Sequence, residues 1–201
     1  MIAFTCRMDD LRLTIKGDAV RRKLIDACHG IGAEVGLEYT ELDKIADTTE
    51  PATVKVMLKK HLEKVLRSDE KMAGLDSAMK SKTNSVTSSI IASCIPVHLM
   101  KRFPQNNMQL MTVSGAKGSS VNVSQISCLL GQQELEGRRV PTMISGKTLP
   151  CFLPFDTSAR SGGYITGRFL TGIRPSEYFF HCMAGREGQY FIYALHTNYQ
   201  V

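Results

Sequence analysis

The segment from Val113 to Arg139, VSGAKGSSVNVSQISCLLGQQELEGRR, gathers residue types suited to anions. It holds a glycine-flanked lysine, Lys117, a run of small hydroxyls, a glutamine pair, Gln132 and Gln133, and a closing arginine pair, Arg138 and Arg139. Three roles fit these residues: cradling phosphates, lining a channel for charged ligands, or turning a corner. The small residues let backbone amides approach an anion or a neighbouring chain, but the order of glycines and lysine is not that of a phosphate-binding loop. Gly146-Lys147-Thr148 ends like such a loop. There, however, Pro141 stands where the first glycine is needed, and ELEGRR replaces the hydrophobic strand that should lead in. Asp9 and Asp10 are adjacent, so on an extended segment they point to opposite sides, and a turn or capping pair suits them better than a shared metal. His29 and His61 fall on amphipathic helices, where solvation or core packing is the ordinary fate. No serine, histidine and acid arrangement, no HExxH and no cluster of three carboxylates occurs.

The elements that must carry these residues are mostly helical. From Asp18, a candidate N-cap, the apolar positions Val20, Leu24, Ala27, Cys28, Ile31 and Val35 recur at helical spacing, and the helix is expected to reach about Leu42. DTTEPAT breaks the pattern, and Pro51 suits a first turn. Val54, Met57, Leu58, Leu62, Val65 and Leu66 then form a stripe with a lysine-rich opposite face. After a possible weak point at Gly74, Met72, Leu75, Met79, Val86, Ile90 and Cys94 make a long seam that Pro96 should stop. Such helices pack most simply as an antiparallel hairpin projecting from the body. From Pro104 the texture turns to loops, short helices and brief strands. A last helix should start near Pro175, with Glu177 beside its positive end.

Composition permits a real core in 201 residues with 43% hydrophobic content. The net charge of +6 is uneven: residues 1–50 carry 7 basic and 10 acidic side chains, residues 51–150 carry 14 and 6. A positive middle suits polyanionic partners. Six cysteines without a CxxC pair read as mostly buried thiols in a reducing compartment. No membrane span or signal peptide is evident, so a soluble intracellular protein is expected.

Taken together, MDDLRLT, NNMQLMTVSGAKGSSVNVSQISCLLGQQELEGRRVP, SGKTLPCF and GRFLTGIRPSEYFFHCMAGREG resemble the largest subunit of the eukaryotic multisubunit RNA polymerases. GKTLPCF and FLTGIRP point most closely to RNA polymerase I, and the resemblance runs from about Cys6 to Gly188. It implies a mainly α fold with short β elements: a long antiparallel helical hairpin (the funnel), an irregular α+β pore-lining segment, and the start of a bridge helix. The implied divisions are the end of a pore domain in residues 1–17, the funnel in 18–145, a linker and the bridge-helix start in 146–188, and a divergent tail in 189–201. Lys117, Arg138 and Arg139 would attract nucleoside triphosphates, and Gln125, Gln132 and Gln133 would offer hydrogen bonds. His181, Arg186 and Glu187 would hold the bridge-helix start against the loop. Alternatively, the glutamines and Glu187 only satisfy buried backbone.

The resemblance also implies Mg2+ for the parent enzyme, with no ligands in this chain. It implies other RNA polymerase I subunits, template DNA, RNA and nucleoside triphosphates as partners, no membrane, and a nuclear, nucleolar location. The tail QYFIYALHTNYQV departs from the family's helix, so an internal fragment is expected, inactive by itself because the magnesium-binding aspartates are absent. The competing readings are a non-catalytic truncated product and a helical module that binds protein or nucleic acid.

Overall fold

A computed structural model describes residues 5–40, 51–66 and 68–198. Its elements are α1 (Met8–Leu11), α2 (Ile15–Tyr39), α3 (Pro51–Leu66), α4 (Asp69–Cys94), α5 (Asn107–Val113), α6 (Ser120–Ser127), β1 (Gly131–Gln132), β2 (Tyr164–Ile165) and α7 (Pro175–Asn198). β1 and β2 form an antiparallel pair with Gly131 opposite Ile165 and Gln132 opposite Tyr164. The expected class, mainly α with short β elements, is the one observed.

The hairpin is α2 against α4. Leu13 bridges Leu99 at one end, and Lys82 reaches Glu34 at 2.9 Å and Glu38 at 3.0 Å toward the other. Their seam buries Cys28, Ile31, Val35, Leu75, Met79, Ile90 and Cys94. Each large side chain taken fully from water there contributes about 1.5–3 kcal/mol, which outweighs the mediocre helix propensity of the serine- and threonine-rich stretch 81–89. Several of those hydroxyls bond back to carbonyls one turn earlier, as Thr83 does to Met79 and Thr87 to Thr83.

Four details differ from the sequence reading. The N-cap of α2 is Thr14, whose hydroxyl accepts from the Gly17 amide at 3.2 Å; Asp18 lies in the first turn and is drawn to arginines. The buried stripe of α2 runs through Gly17 and Arg21, while Val20 and Ala27 face outward. Gly74 does not interrupt α4; a Cβ there would come within 2.6 Å of the Tyr39 hydroxyl, so its role is close approach between helices. The hairpin does not project, because Gly32 abuts the Thr157 carbonyl and Arg21 donates to the carbonyls of Cys128 and Thr166. Of the expected ends, Leu42 and the DTTE break lie outside the described residues.

Two further expectations change. Cys28, Cys94 and Cys128 are buried, but Cys6, Cys151 and Cys182 are exposed, and all six thiols are free. The divergent tail, divided at 189 from the start of the last helix, lies on that same helix: α7 runs from Pro175 to Asn198, with 199–201 outside the described residues. As expected, Pro175 opens α7, Pro51 opens α3 and the helix before Pro96 ends at Cys94. Among the described residues no helix is long and apolar enough to cross a membrane.

Candidate channel wall and its helix support

Local chemistry explains how the Val113–Arg139 segment is shaped. Asn106 caps α5 by accepting from the Gln109 amide at 2.9 Å, and Ser119 caps α6 through the Asn122 amide at 3.4 Å. Between them Gly115 and Gly118 take φ of 72° and 80°, left-handed values that glycine adopts freely, and present Lys117 to solvent. Farther on, Leu135 and Arg138 exchange two backbone hydrogen bonds of 2.9 Å around Glu136 and Gly137, whose φ values are 51° and 75°. Two central residues at positive φ make a tight hairpin turn of the I′ kind.

That turn faces α7. The Glu136 amide donates to the Glu187 carboxylate at 2.5 Å, and Gln133 Oε1 lies 3.2 Å from His181 Nδ1. The His181 ring also meets the Phe169 ring edge-on, with centroids 5.7 Å apart. Gln132 Nε2 donates to the carbonyls of Gly162 at 2.8 Å and Gln133 at 2.9 Å, tying β1 to the strand-lead of β2. Gln132, Gln133, His181 and Glu187 therefore come together around one loop.

Arg139 is also drawn in, but as a buried group. Its Nη1 lies 3.8 Å from Asp76, its Nη2 donates to the Ser158 carbonyl at 3.4 Å, and a Cβ on Gly162 would collide with the guanidinium. Burial lowers the Arg139 pKa, opposed by Asp76; burial raises the Asp76 pKa, opposed by Arg139. The exposed Arg138 lines a cleft of about 730 Å3 with Met72, Asp76, Glu136, Pro141 and Glu187. Lys117 and Gln125 sit apart, in a cleft of about 440 Å3 with Met108, Met111, Asn122 and Phe169. Arg186 is exposed on α7.

A second network, of which the sequence showed only Glu177 at the helix start, fixes the start of α7. Glu177, 2% exposed, accepts from the Arg174 amide at 3.0 Å and from the Thr166 hydroxyl at 3.4 Å. Arg168 donates to the Ser127 carbonyl at 2.9 Å and pairs with Asp18 at 3.0 Å. Arg21, its pKa lowered by burial, completes the link to α2. The available signal was Arg21 itself: counting in threes and fours from Leu24 and Cys28 puts this charge on the apolar face.

Residues 44–165 match the family described as RNA polymerase Rpb1, domain 4. DNA-directed RNA polymerase I subunit rpa1 of Schizosaccharomyces pombe is 62% identical over 188 residues, 94% of this chain and 11% of the relative. Subunit RPA190 of Saccharomyces cerevisiae is 54% identical over 186 residues, 92% of this chain and 11% of the relative. The rpa1 subunit of Dictyostelium discoideum is 49% identical over 185 residues, again 92% and 11%. The chain thus spans about a tenth of the length of these relatives and corresponds to one segment of an RNA polymerase I largest subunit. With the family matching across α3, α4, the glycine-rich segment and the β pair, this chain belongs to the RNA polymerase Rpb1, domain 4 family.

Proposed function

We propose that this chain forms part of the wall of an RNA polymerase I nucleotide funnel and the start of the bridge helix that crosses the active cleft. In this reading α2 and α4 are the funnel hairpin, residues 106–139 face the pore, and α7 begins the bridge helix. The divisions at 1–17, 18–145, 146–188 and 189–201 belong to the same proposal, although α7 crosses the last of them. The observation that carries it is the double hold of the 131–139 loop on α7, Gln133 to His181 and Glu136 to Glu187, in a chain so similar to polymerase I largest subunits.

The exposed Lys117 and Arg138 would attract nucleoside triphosphates through a field screened over about 8 Å at physiological salt. Arg139 contributes less to that field, since its charge is spent on Asp76 inside the fold. Gln125 lines the Lys117 cleft and would offer a hydrogen bond there. Gln132, Gln133, His181 and Glu187 support geometry, with Arg186 on the outer side of the same helix.

Polymerase chemistry implies magnesium, which would stabilise the attacking and leaving oxygens of nucleotidyl transfer. The residues here do not fit a magnesium site. Asp10 sits in a helix capping box with Lys101 3.4 Å away, Asp18 is held by Arg22 and Arg168, and Asp76 faces Arg139. Among the described residues no group of three or more His, Cys, Asp or Glu side chains is arranged to hold a metal. The chain's partners in this reading are the other polymerase subunits, template DNA and RNA, in the nucleus and within it the nucleolus.

The test replaces the matching segment of the fission yeast subunit with residues 6–188 of this chain. The chimeric enzyme is expected to assemble and make templated RNA, and joint Lys117→Glu and Arg138→Glu substitution to raise its nucleotide KM several-fold. An assembled enzyme with unchanged KM would remove the channel role. The purified chain, given template, magnesium and nucleotides, is expected to make no RNA above a no-protein control.

A further inference from the structure

The loop from Gly131 to Arg139 is gripped from two sides. On the hairpin side, Lys80 of α4 donates to Glu134 at 2.7 Å and to the Gly137 carbonyl at 3.3 Å, while Asp76, one turn earlier, faces Arg139 at 3.8 Å. On the other side, Gln133 meets His181 at 3.2 Å and the Glu136 amide meets Glu187 at 2.5 Å. Side chains make the contacts at 133, 134 and 139, whereas at 136 and 137 the backbone amide and carbonyl of the turn make them. Positions 133 and 136 address α7, and 134, 137 and 139 address α4. Among the described residues Lys80 bonds to Glu134 and Gly137 and not to α7, yet these positions lie immediately beside both of the groups that do reach α7.

We propose that Lys80 is a positioning residue: by fixing Glu134 and Gly137 it sets the reach of the 135–138 turn to Glu187, and so the seating of the first turns of α7. This rests on α7 being the bridge-helix start described under the proposed function. The ion pair is about one-third exposed on each side and worth little as stability. Its effect lies in geometry, because the Glu136 amide at the tip of a two-residue turn can meet Glu187 only if the turn is aimed correctly. Gly137, at φ of 75°, gives that turn its shape, and Lys80 holds the carbonyl of that same residue.

Hydrogen exchange on the chain tests the hold, and elongation by the chimeric polymerase tests its consequence. Lys80→Met should speed exchange roughly 2- to 5-fold at Glu136 and across residues 181–187, the range expected for losing a part-exposed ion pair. Residues 28–35 and 83–94 should be unchanged. Lys82→Met, which breaks only the α2–α4 pairs to Glu34 and Glu38, should leave the loop and α7 as they were. In the polymerase, Lys80→Met should lower the maximal elongation rate by a similar factor with nucleotide KM unchanged. Glu134→Gln, which keeps the Gly137 contact, should fall between wild type and Lys80→Met.

Unchanged exchange at Glu136 and 181–187 in Lys80→Met would overturn the positioning role. So would an equal effect of Lys82→Met, which would mark general loosening of the hairpin. Faster exchange with an unaltered elongation rate would overturn the functional link. Failure of the unmutated chimera to make RNA would count against the polymerase reading alone, since the exchange measurement does not use the chimera.

Discussion

Asp76 and Arg139 are close enough to attract each other and buried enough for both to lose solvation, and the balance is readable in pH dependence. Burial is the larger influence on Asp76 and raises its pKa, with Arg139 and Arg138 pulling it down. The folded chain therefore holds that proton more tightly than the unfolded chain. Its contribution to stability is complete below the ordinary aspartate value of about 3.9 and is lost as pH rises through the raised native value. Asp76→Asn, which cannot ionise, should thus gain stability relative to wild type as pH rises from 4 to 7, read as the difference in urea midpoints. A difference that shrinks over that range would mean that Arg139 outweighs burial. The same pair explains why an arginine adjacent to the exposed Arg138 is a brace rather than a steering charge.

At the scale of elements, the hairpin lies flat because its glycines are placed unequally around α2. Gly32 is buried, and a Cβ there would collide with the Thr157 carbonyl oxygen, a backbone atom unable to swing aside. Gly30, two residues earlier, is exposed with nothing within 4 Å of a Cβ. Gly30→Ala should therefore stabilise the chain by up to about 1 kcal/mol, the helix preference of alanine over glycine. Gly32→Ala should cost about 1–3 kcal/mol through overpacking despite the same preference. Thermal melts of the two variants give the comparison, and equal gains would mean that the 157–158 segment does not press on α2. The start of α7 follows similar logic: Glu177 satisfies an amide at the helix N-terminus from inside the core, joining α7 to the 166–174 loop.

For the whole molecule, the +6 charge overstates what is offered to a polyanion. Arg21, Arg139 and Arg168 are buried and engaged, Lys80 pairs with Glu134, and Lys82 pairs with Glu34 and Glu38. Among the exposed basic side chains that remain are Arg138, Lys117 on its loop, and Lys59, Lys60 and Lys64 on α3. Binding of the isolated chain to nucleic acid should be weak and should fall steeply with added salt, as counterion release requires. Fluorescence anisotropy with single- and double-stranded probes would check this. Tight binding that survived high salt, or preferred one sequence, would reveal a base-reading surface and favour the nucleic-acid module among the competing readings.

Periodicity and punctuation in the sequence already determined the helices, because burial of an apolar stripe, the starts at Pro51 and Pro175 and the stop before Pro96 act over a few residues. The motifs likewise determined the family, and the resemblance to RNA polymerase I largest subunits agrees with the 62% and 54% identities. Capping was half legible: of the acid pair, Asp10 caps α1 by accepting from the Arg7 amide, but Thr14 rather than Asp18 starts α2. Only the tertiary structure decided which of the candidate residues are neighbours. Gln133 and His181 are 48 residues apart, Glu136 and Glu187 are 51, and Lys80 and Glu134 are 54. Chain-distant polar contacts leave no periodic trace, since each depends on two separately folded elements arriving at one place; Lys80 and Arg168 carry no sign of their partners in the sequence, and Arg21 shows there only its place on the apolar face of α2.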